Sequence, residues 1–186
     1  LSTLSTAKVH GPHYNRVVQN KDLLADVLPP PNYIVETYLT AHLMVNETNP
    51  TALQGLVEHY EGLKAEYADR QRHWRENLPD GPLKTQINEA SRIPAEAFFD
   101  TLDTQLIPAL RAGDRAQAKK LLDESLPEFY EKHRASVDEI VSTTISNAEA
   151  TEAEVAELIG TRTMIMLLVG VGLAGGVAAF AYSLSL

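Results

Sequence analysis

The sequence closes with TMIMLLVGVGLAGGVAAFAYSLSL, residues 163–186, a run of 24 residues without a charged side chain. At about 1.5 Å of rise per residue, a helix of this length covers the roughly 30 Å hydrocarbon core of a bilayer. Gly172 and Gly176 form a GxxxG pattern, which allows close approach of a neighbouring helix. The length argues against a buried core helix, and the position argues against a signal peptide. The run therefore predicts a transmembrane helix.

Residues 1–162 are mainly polar and are long enough for one domain with a buried core. The net charge of −9 argues against a nucleic-acid surface, because neutralising phosphates requires clustered lysine and arginine. The sequence has no cysteine, which excludes a disulfide framework, thiol chemistry and thioether-attached haem. The absence of cysteine also fits an oxidising compartment. We therefore expect a polar domain, residues 1–162, held at a membrane by residues 163–186.

Helix signals cover this domain, and strand patterns are nearly absent. Prolines and glycines divide it into four helical segments. Pro29–Pro31 interrupt the first segment, because three proline rings remove three N–H donors. Thr51 with Gln54 predicts a capping box at the start of the second segment. Gly113 predicts the end of the third segment, and Asp114 predicts the cap of the fourth.

Apolar side chains line one face of the second and fourth segments. The second has a heptad seam of Leu53, Leu56, Tyr60, Leu63, Tyr67, Arg70 and Trp74. The arginine interrupts that seam. In the fourth segment a spacing of three and four residues continues from Leu122 to Leu158. Pro94, Pro108 and Pro127 predict local bends in the third and fourth segments.

The lengths of the segments predict the architecture. The second and third segments span about 28 and 31 residues, whereas the first and last span about 46 and 48. Short turns favour antiparallel neighbours, so we expect an all-α, up-down-up-down antiparallel four-helix bundle. The longer outer segments extend about 25–30 Å further and predict a membrane-proximal stalk of residues 1–18 beside about 143–162. By the same argument we expect a first membrane span before Leu1 and more chain at both ends.

Three runs in the first segment carry a family resemblance. They read Gly11-Pro12-x-Tyr14, Lys21-Asp22-Leu23-x-Ala25-Asp26 and Leu28-Pro29-Pro30-Pro31-x-Tyr33-Ile34-x-Glu36. Together with the Ala-Gly-Asp turn at residues 112–114, these runs resemble the sensor module of bacterial chemoreceptors, the methyl-accepting chemotaxis proteins. The resemblance covers essentially the whole chain.

The resemblance implies a homodimer in the bacterial inner membrane, with residues 1–162 forming a ligand-sensing domain in the periplasm. It also implies that binding of a small molecule shifts the fourth helix along its axis. Cytoplasmic signalling proteins would then contact only chain that follows Leu186. The same input module on a sensor histidine kinase or cyclase is an alternative within signalling. A membrane-anchored helical bundle that docks a partner protein is an alternative from another class.

Counting residues from the predicted turns places candidate ligand contacts near one level of the bundle. They are the basic side chains Arg70, Arg92, His133 and Arg134 and the aromatic side chains Tyr33, Tyr67 and Tyr130. Cations beside a helix that restarts after Pro31 suit a small carboxylate, so we favour a small organic anion as the ligand. The structural alternatives are an Arg70–Glu66 ion pair, solvated arginines, and a histidine and tyrosines that belong to the core.

The six histidines lack the spacing of a metal or catalytic site. No HxxxH or ExxH pair is present to build a metal site in a bundle core. The sequence also has no glycine-rich phosphate loop and no nucleophile elbow. We therefore expect no enzyme activity, no metal and no other cofactor, and a haem or di-metal bundle is the least favoured alternative.

Overall fold

The computed structural model describes residues 12–27 and 34–185, and every element assigned there is helical. The expectation of an all-α chain is thus confirmed for that part. Its elements are α1 (Pro12–Val27), α2 (Val35–Asn46), α3 (Pro50–Asn77), α4 (Pro82–Thr85), the π-helical segment π1 (Gln86–Ser91), α5 (Arg92–Thr101), π2 (Leu102–Leu106), α6 (Ile107–Arg111), α7 (Arg115–Lys120), π3 (Leu121–Ser125) and α8 (Leu126–Ser185). The proline run Pro29–Pro31 and the first 11 residues of the predicted stalk lie outside the described residues.

The helix ends confirm one predicted boundary and correct another. Gly113 has φ +80°, and the amides of Gly113 and Asp114 donate to carbonyls in the last turn of α6, as expected for a left-handed helix terminus. The Asp114 side chain then caps α7. The capping box at Thr51 was wrong, because Asn49 caps α3 by accepting from the amides of Thr51 and Ala52. Pro50 fits the first helical position, where no N–H is needed, so the helix begins earlier than predicted.

Each internal proline of the third and fourth segments follows a π-helical segment. π1 precedes Pro94, π2 precedes Pro108 and π3 precedes Pro127. Proline has no N–H to donate to the carbonyl four residues earlier, and its ring crowds that carbonyl. The wider π turn moves this carbonyl away, so the helix continues past the proline. The predicted bends correspond to these three segments.

Two groups of buried apolar side chains form the core. The larger joins α2, α3, α5 and the segments up to the start of α8, and its fully buried members include Ala41, Met44, Tyr60, Phe98, Leu102, Leu106 and Leu126. The smaller consists of Leu23, Trp74, Leu78, Ile87, Val137 and Ile140. Every position of the predicted seam from Leu122 to Leu158 is buried or half-buried, which confirms that seam.

The chain divides into two compact units. One consists of residues 20–145, in which α2 and α3 pack together and α3 also contacts π1. The other includes residues 12–19 and 146–185. In this second unit Arg16 Nη2 lies 3.4 Å from Glu154 Oε2, and Thr151 is buried. Thus α1 and α8 contact each other within this unit.

One helix among the described residues is long and apolar enough, by length and composition, to cross a membrane. Its most apolar stretch contains no buried residue. The leucines Leu167, Leu168 and Leu173 are each more than half exposed. A long apolar helix at the position of the predicted membrane span is therefore present.

Candidate functional site

A cleft of about 580 Å³ lies between α3 and the segments α5 and π2. Its α3 wall consists of Lys64, Tyr67, Ala68, Gln71, Arg72 and Arg75, and its other wall consists of Arg92, Glu96, Phe99, Asp100 and Asp103. This volume falls within the range of about 300–1,000 Å³ that is typical of small-molecule sites. Most of its lining side chains are charged or polar, so the cleft is suited to a polar ligand.

The base of the cleft follows from the helical period of α3. Tyr60, Tyr67, Gln71 and Trp74 are buried at spacings of three, four or seven residues, so they share one face of the helix. The Phe99 ring closes the cleft from the other wall, with its centroid 5.1 Å from that of Tyr67. Gln71 follows Tyr67 by one helical turn, so both side chains reach the base of the cleft.

Two polar atoms at this base are buried without a hydrogen-bond partner. They are the Tyr67 hydroxyl and Gln71 Oε1, on side chains that are only 5% and 7% exposed. The side chains of Ser91 and Gln71 both lie close enough to the Tyr67 hydroxyl to lower its pKa, but neither has hydrogen-bond geometry with it. Burial dominates and, with the Glu96 charge, raises the pKa of Tyr67 above its usual value. The base thus offers one hydroxyl and one amide oxygen to an incoming group.

Four of the charged side chains in the cleft neutralise one another in pairs. Arg92 Nη1 lies 2.6 Å from Glu96 Oε2, and Lys64 forms an ion pair with Asp103. The Tyr60 hydroxyl donates a 2.6 Å hydrogen bond to the other oxygen of Asp103. Burial, followed by this bond, raises the pKa of Tyr60. These two pairs leave four charged side chains of the lining neutralised.

Arg75 and Asp100 are different, since neither side chain forms an ion pair within the described part of the chain. The remaining cation, Arg72, lies 3.2 Å from Asp69 on the outer surface of α3. The cleft therefore presents one uncompensated cation and one uncompensated carboxylate.

His133 connects the wall of the cleft to α8. It is fully buried, and its ring lies edge-on to Tyr67 with centroids 6.1 Å apart. His133 Nδ1 lies 2.9 Å from the Ser91 carbonyl, which can only accept, so this nitrogen carries the proton. Three residues along α8, Ser136 Oγ lies 3.0 Å from the carbonyl of Ala90 and 3.0 Å from that of Lys132 on its own helix, so its one proton is shared between two acceptors. In an α-helix the Ala90 carbonyl would accept from residue 94, which is proline.

The structure brings together three of the seven predicted contact residues. Tyr67 and Arg92 line the cleft, and His133 packs against Tyr67 from behind. Arg70 is half-buried on α3 and is not among the lining residues. Arg134 is half exposed, 3.5 Å from Glu131 and 4.0 Å from Asp138.

Of the two other aromatic candidates, Tyr130 does not line the cleft. Tyr130 packs on the Tyr38 ring with centroids 4.9 Å apart. Tyr33, like Pro31, lies outside the described residues. A ligand role for the seven residues therefore stays a prediction, and Tyr67 and Arg92 are the two of the six described candidates that line the cleft.

Sequence reasoning missed Gln71, Arg75, Asp100 and Asp103. Gln71 had a usable signal, because it follows Tyr67 by four residues and so shares its face. Asp100 and Asp103 had no such signal, since their position opposite α3 depends on how two helices are aligned. Lys64 and Asp103 form their pair across 39 residues of sequence.

Comparisons of the chain with protein-family models, with curated proteins and with solved structures find no match. The resemblance to chemoreceptor sensor modules thus remains a prediction from sequence. Within residues 12–27 and 34–185, no group of three or more histidine or acidic side chains is placed to hold a metal ion.

Proposed function

We propose that this chain is a membrane-tethered sensor that binds a small molecule in the cleft between α3 and α5. The observation that carries the proposal is the pair of buried, unpartnered atoms at the base of the cleft, Tyr67 Oη and Gln71 Oε1. A buried polar group without a partner costs about 1–3 kcal/mol, so a ligand that supplies the missing bonds recovers that free energy on binding. No reacting group is required for such a site, and the proposed role is sensing without catalysis.

The proposed architecture is an up-down-up-down four-helix bundle whose outer helices extend into a stalk. The Arg16–Glu154 contact supports the stalk, because it joins the first and last helices well away from the cleft in sequence. The apolar part of α8, from Thr163, would lie in the bacterial inner membrane, and residues 1–162 would lie in the periplasm. A small organic anion is the ligand class favoured from sequence, and Arg75 supplies an uncompensated cation for it beside Arg92, which is paired with Glu96.

The proposed output is a displacement of α8, which contains both His133 and the apolar segment. A ligand can move α8 only if it binds one of two positions more tightly than the other. The hydrogen bonds from His133 to Ser91 and from Ser136 to Ala90 would connect the cleft to α8, since both carbonyls belong to π1, which continues into the cleft wall α5. Helix shifts of about 1–2 Å are a recognised form of such output.

An exposed apolar stripe on α2 favours a second copy or a partner protein as an additional contact. Val35, Leu39 and Leu43 recur every four residues and are 39%, 57% and 49% exposed. In the proposed sensor this stripe would form part of the contact between the two copies of the homodimer. It also favours the second candidate function, a membrane-anchored bundle that docks a partner protein. The two candidates differ in whether the cleft binds a small molecule.

The test is a thermal-unfolding screen of the full chain in lipid nanodiscs against organic acids, amino acids, amines and short peptides. A ligand at 100 times its Kd stabilises by about 2.7 kcal/mol, which for a chain of this size raises Tm by about 5–10 °C. Ala68→Trp, which fills the cleft, should abolish the shift. Ala65→Trp, at an exposed position outside the lining residues, should preserve it. A complete screen without any shift in Tm, or a shift in Tm that Ala68→Trp leaves unchanged, would contradict the proposal.

A further inference from the structure

The uncompensated charges of the cleft have opposite signs and lie apart. Asp100 is adjacent to Phe99, whose ring contacts Tyr67. Arg75 follows Tyr67 by eight residues on α3, about 12 Å along the helix axis. Arg72, which follows by five residues at about 7.5 Å, already has Asp69 beside it. A ligand that satisfies both free charges therefore needs a cation and an anion separated by at most about 12 Å, and by less where the Arg75 side chain extends back toward the N-terminus of α3.

The two unpartnered atoms belong to Tyr67 and Gln71, which precede Arg75 on α3 by eight and four residues. Gln71 Oε1 can only accept a hydrogen bond, and the Tyr67 hydroxyl can donate one. A group that donates through N–H and accepts through C=O satisfies both at once. A peptide group contains both an N–H donor and a C=O acceptor. A fully extended chain covers about 3.3–3.6 Å per residue, so two or three residues span roughly 7–11 Å.

We propose that the cleft binds a short peptide of two or three residues with both termini free. Its ammonium group pairs with Asp100, its carboxylate pairs with Arg75, and a central peptide group bonds to Tyr67 Oη and Gln71 Oε1. This inference rests on the proposed sensor function and names the ligand class of the same site. It replaces a simple anion by a zwitterion, because the cleft holds an unpaired carboxylate as well as an unpaired arginine.

Isothermal titration of the full chain in nanodiscs tests the ligand without altering the protein. The probes are Ala-Ala and Ala-Ala-Ala, the same peptides N-acetylated or C-amidated, and 6-aminohexanoate. The free peptides should bind. Each cap removes one charge-assisted pair and should weaken binding by about tenfold or more. 6-Aminohexanoate has the two charges without a peptide group, and it should also bind about tenfold more weakly.

Two exposed substitutions assign the ends. In Asp100→Asn the penalty for N-acetylation should disappear, and in Arg75→Gln the penalty for C-amidation should disappear. Asp138→Asn and Lys132→Gln are the matched controls, since both residues are exposed on α8 and lie outside the cleft. These controls should leave peptide affinity within about twofold of the unaltered chain.

The outcomes separate this inference from the proposed function. Equal binding of capped and free peptides overturns the peptide assignment. So does a screen in which another class of small molecule binds through the cleft while the peptides do not, although the sensor proposal then survives. If no small molecule of any class binds, both fail together.

Discussion

Replacing Tyr67 by phenylalanine removes a buried hydroxyl that has no hydrogen-bond partner. The aromatic ring keeps its contacts, with centroids 5.1 Å from Phe99 and 6.1 Å from His133. Most substitutions of a buried residue destabilise a protein because they leave a cavity or break a bond. Tyr67→Phe does neither, since phenylalanine has the same ring and the lost atom bonds to nothing. We therefore predict that this substitution stabilises the ligand-free protein.

The magnitude follows from the desolvation of the hydroxyl. Burying a polar group without a partner costs about 1–3 kcal/mol, and the substitution returns that free energy. We expect a gain near the lower limit, about 1 kcal/mol, because the cleft is open to solvent on one side. For a chain of this length the gain corresponds to a rise in Tm of about 2–4 °C. The same substitution should weaken binding of Ala-Ala, because the peptide carbonyl loses its donor.

Tyr60→Phe is the matched control. Tyr60 is also fully buried on α3, but its hydroxyl donates to the Asp103 carboxylate at 2.6 Å. Hydrogen bonds to charged groups contribute about 1.5–3 kcal/mol, so this substitution should destabilise the protein by about that amount. Asp103 keeps its ion pair with Lys64, which limits the loss. The same chemical change is thus expected to have opposite signs at two positions of one helix.

The assay is thermal unfolding of the full chain in detergent micelles, followed by circular dichroism, for the two variants and the unaltered protein. Opposite shifts of Tm support the reasoning. A fall in Tm for Tyr67→Phe as large as that for Tyr60→Phe would mean that the Tyr67 hydroxyl is bonded in the folded protein. The base of the cleft would then have no unpaired donor, and the argument for the site would fail.

Three further perturbations probe the core, the tyrosines and the apolar segment. Phe98→Ala should lower the free energy of unfolding by about 3–5 kcal/mol because Phe98 is fully buried, whereas Ile93→Ala, at a position 58% exposed, should change it by at most about 0.5 kcal/mol in urea titrations. Burial raises the pKa of Tyr60 and Tyr67, so the folded chain retains protons that the unfolded chain loses near pH 10. The free energy of unfolding should therefore be independent of these tyrosines below about pH 10 and should fall above it by up to about 1.4 kcal/mol per pH unit for each tyrosine. Urea titrations repeated across pH measure this fall, which should be smaller in each tyrosine-to-phenylalanine variant. Leu173→Lys should raise the cost of membrane insertion by about 3–4 kcal/mol, measured as a reduced fraction of chain that resists carbonate extraction from membranes.

Local sequence rules predicted the helices and several of their ends. Gly113 and Asp114 formed the expected junction, because a left-handed glycine and a short acceptor act within a few residues. The seam of α3 was less accurate. A strict heptad placed Arg70 on it, whereas Gln71 is the buried residue and Arg70 is only half-buried. A straight helix has 3.6 residues per turn, so its buried face drifts from a heptad over several turns.

The cleft itself could not be predicted from sequence. Its charge balance depends on pairs such as Lys64–Asp103, whose partners lie on different helices. Counting residues from the turns placed Arg92 and His133 at one level, and His133 Nδ1 does lie 2.9 Å from the carbonyl of Ser91, the neighbour of Arg92, because helices joined by short turns keep a nearly common register. Counting gives the level of a residue along a helix and leaves open whether its side chain faces a cleft, the core or solvent. Arg134 reached the right level and faces solvent.

Pro94 explains why the cleft wall and α8 are joined by polar contacts. A proline inside a helix costs about 3 kcal/mol when the freed carbonyl stays unpaired. Here π1 precedes the proline, and Ser136 of α8 supplies a donor to the Ala90 carbonyl that Pro94 leaves without one. His133 bonds the next carbonyl, that of Ser91, and packs on Tyr67. The break in the helix therefore leaves the Ala90 carbonyl as an acceptor for α8, next to the Ser91 carbonyl that His133 bonds. A molecule that bonds to Tyr67 acts on the same turn that α8 holds, so this turn is where the proposed sensor would pass its signal to α8.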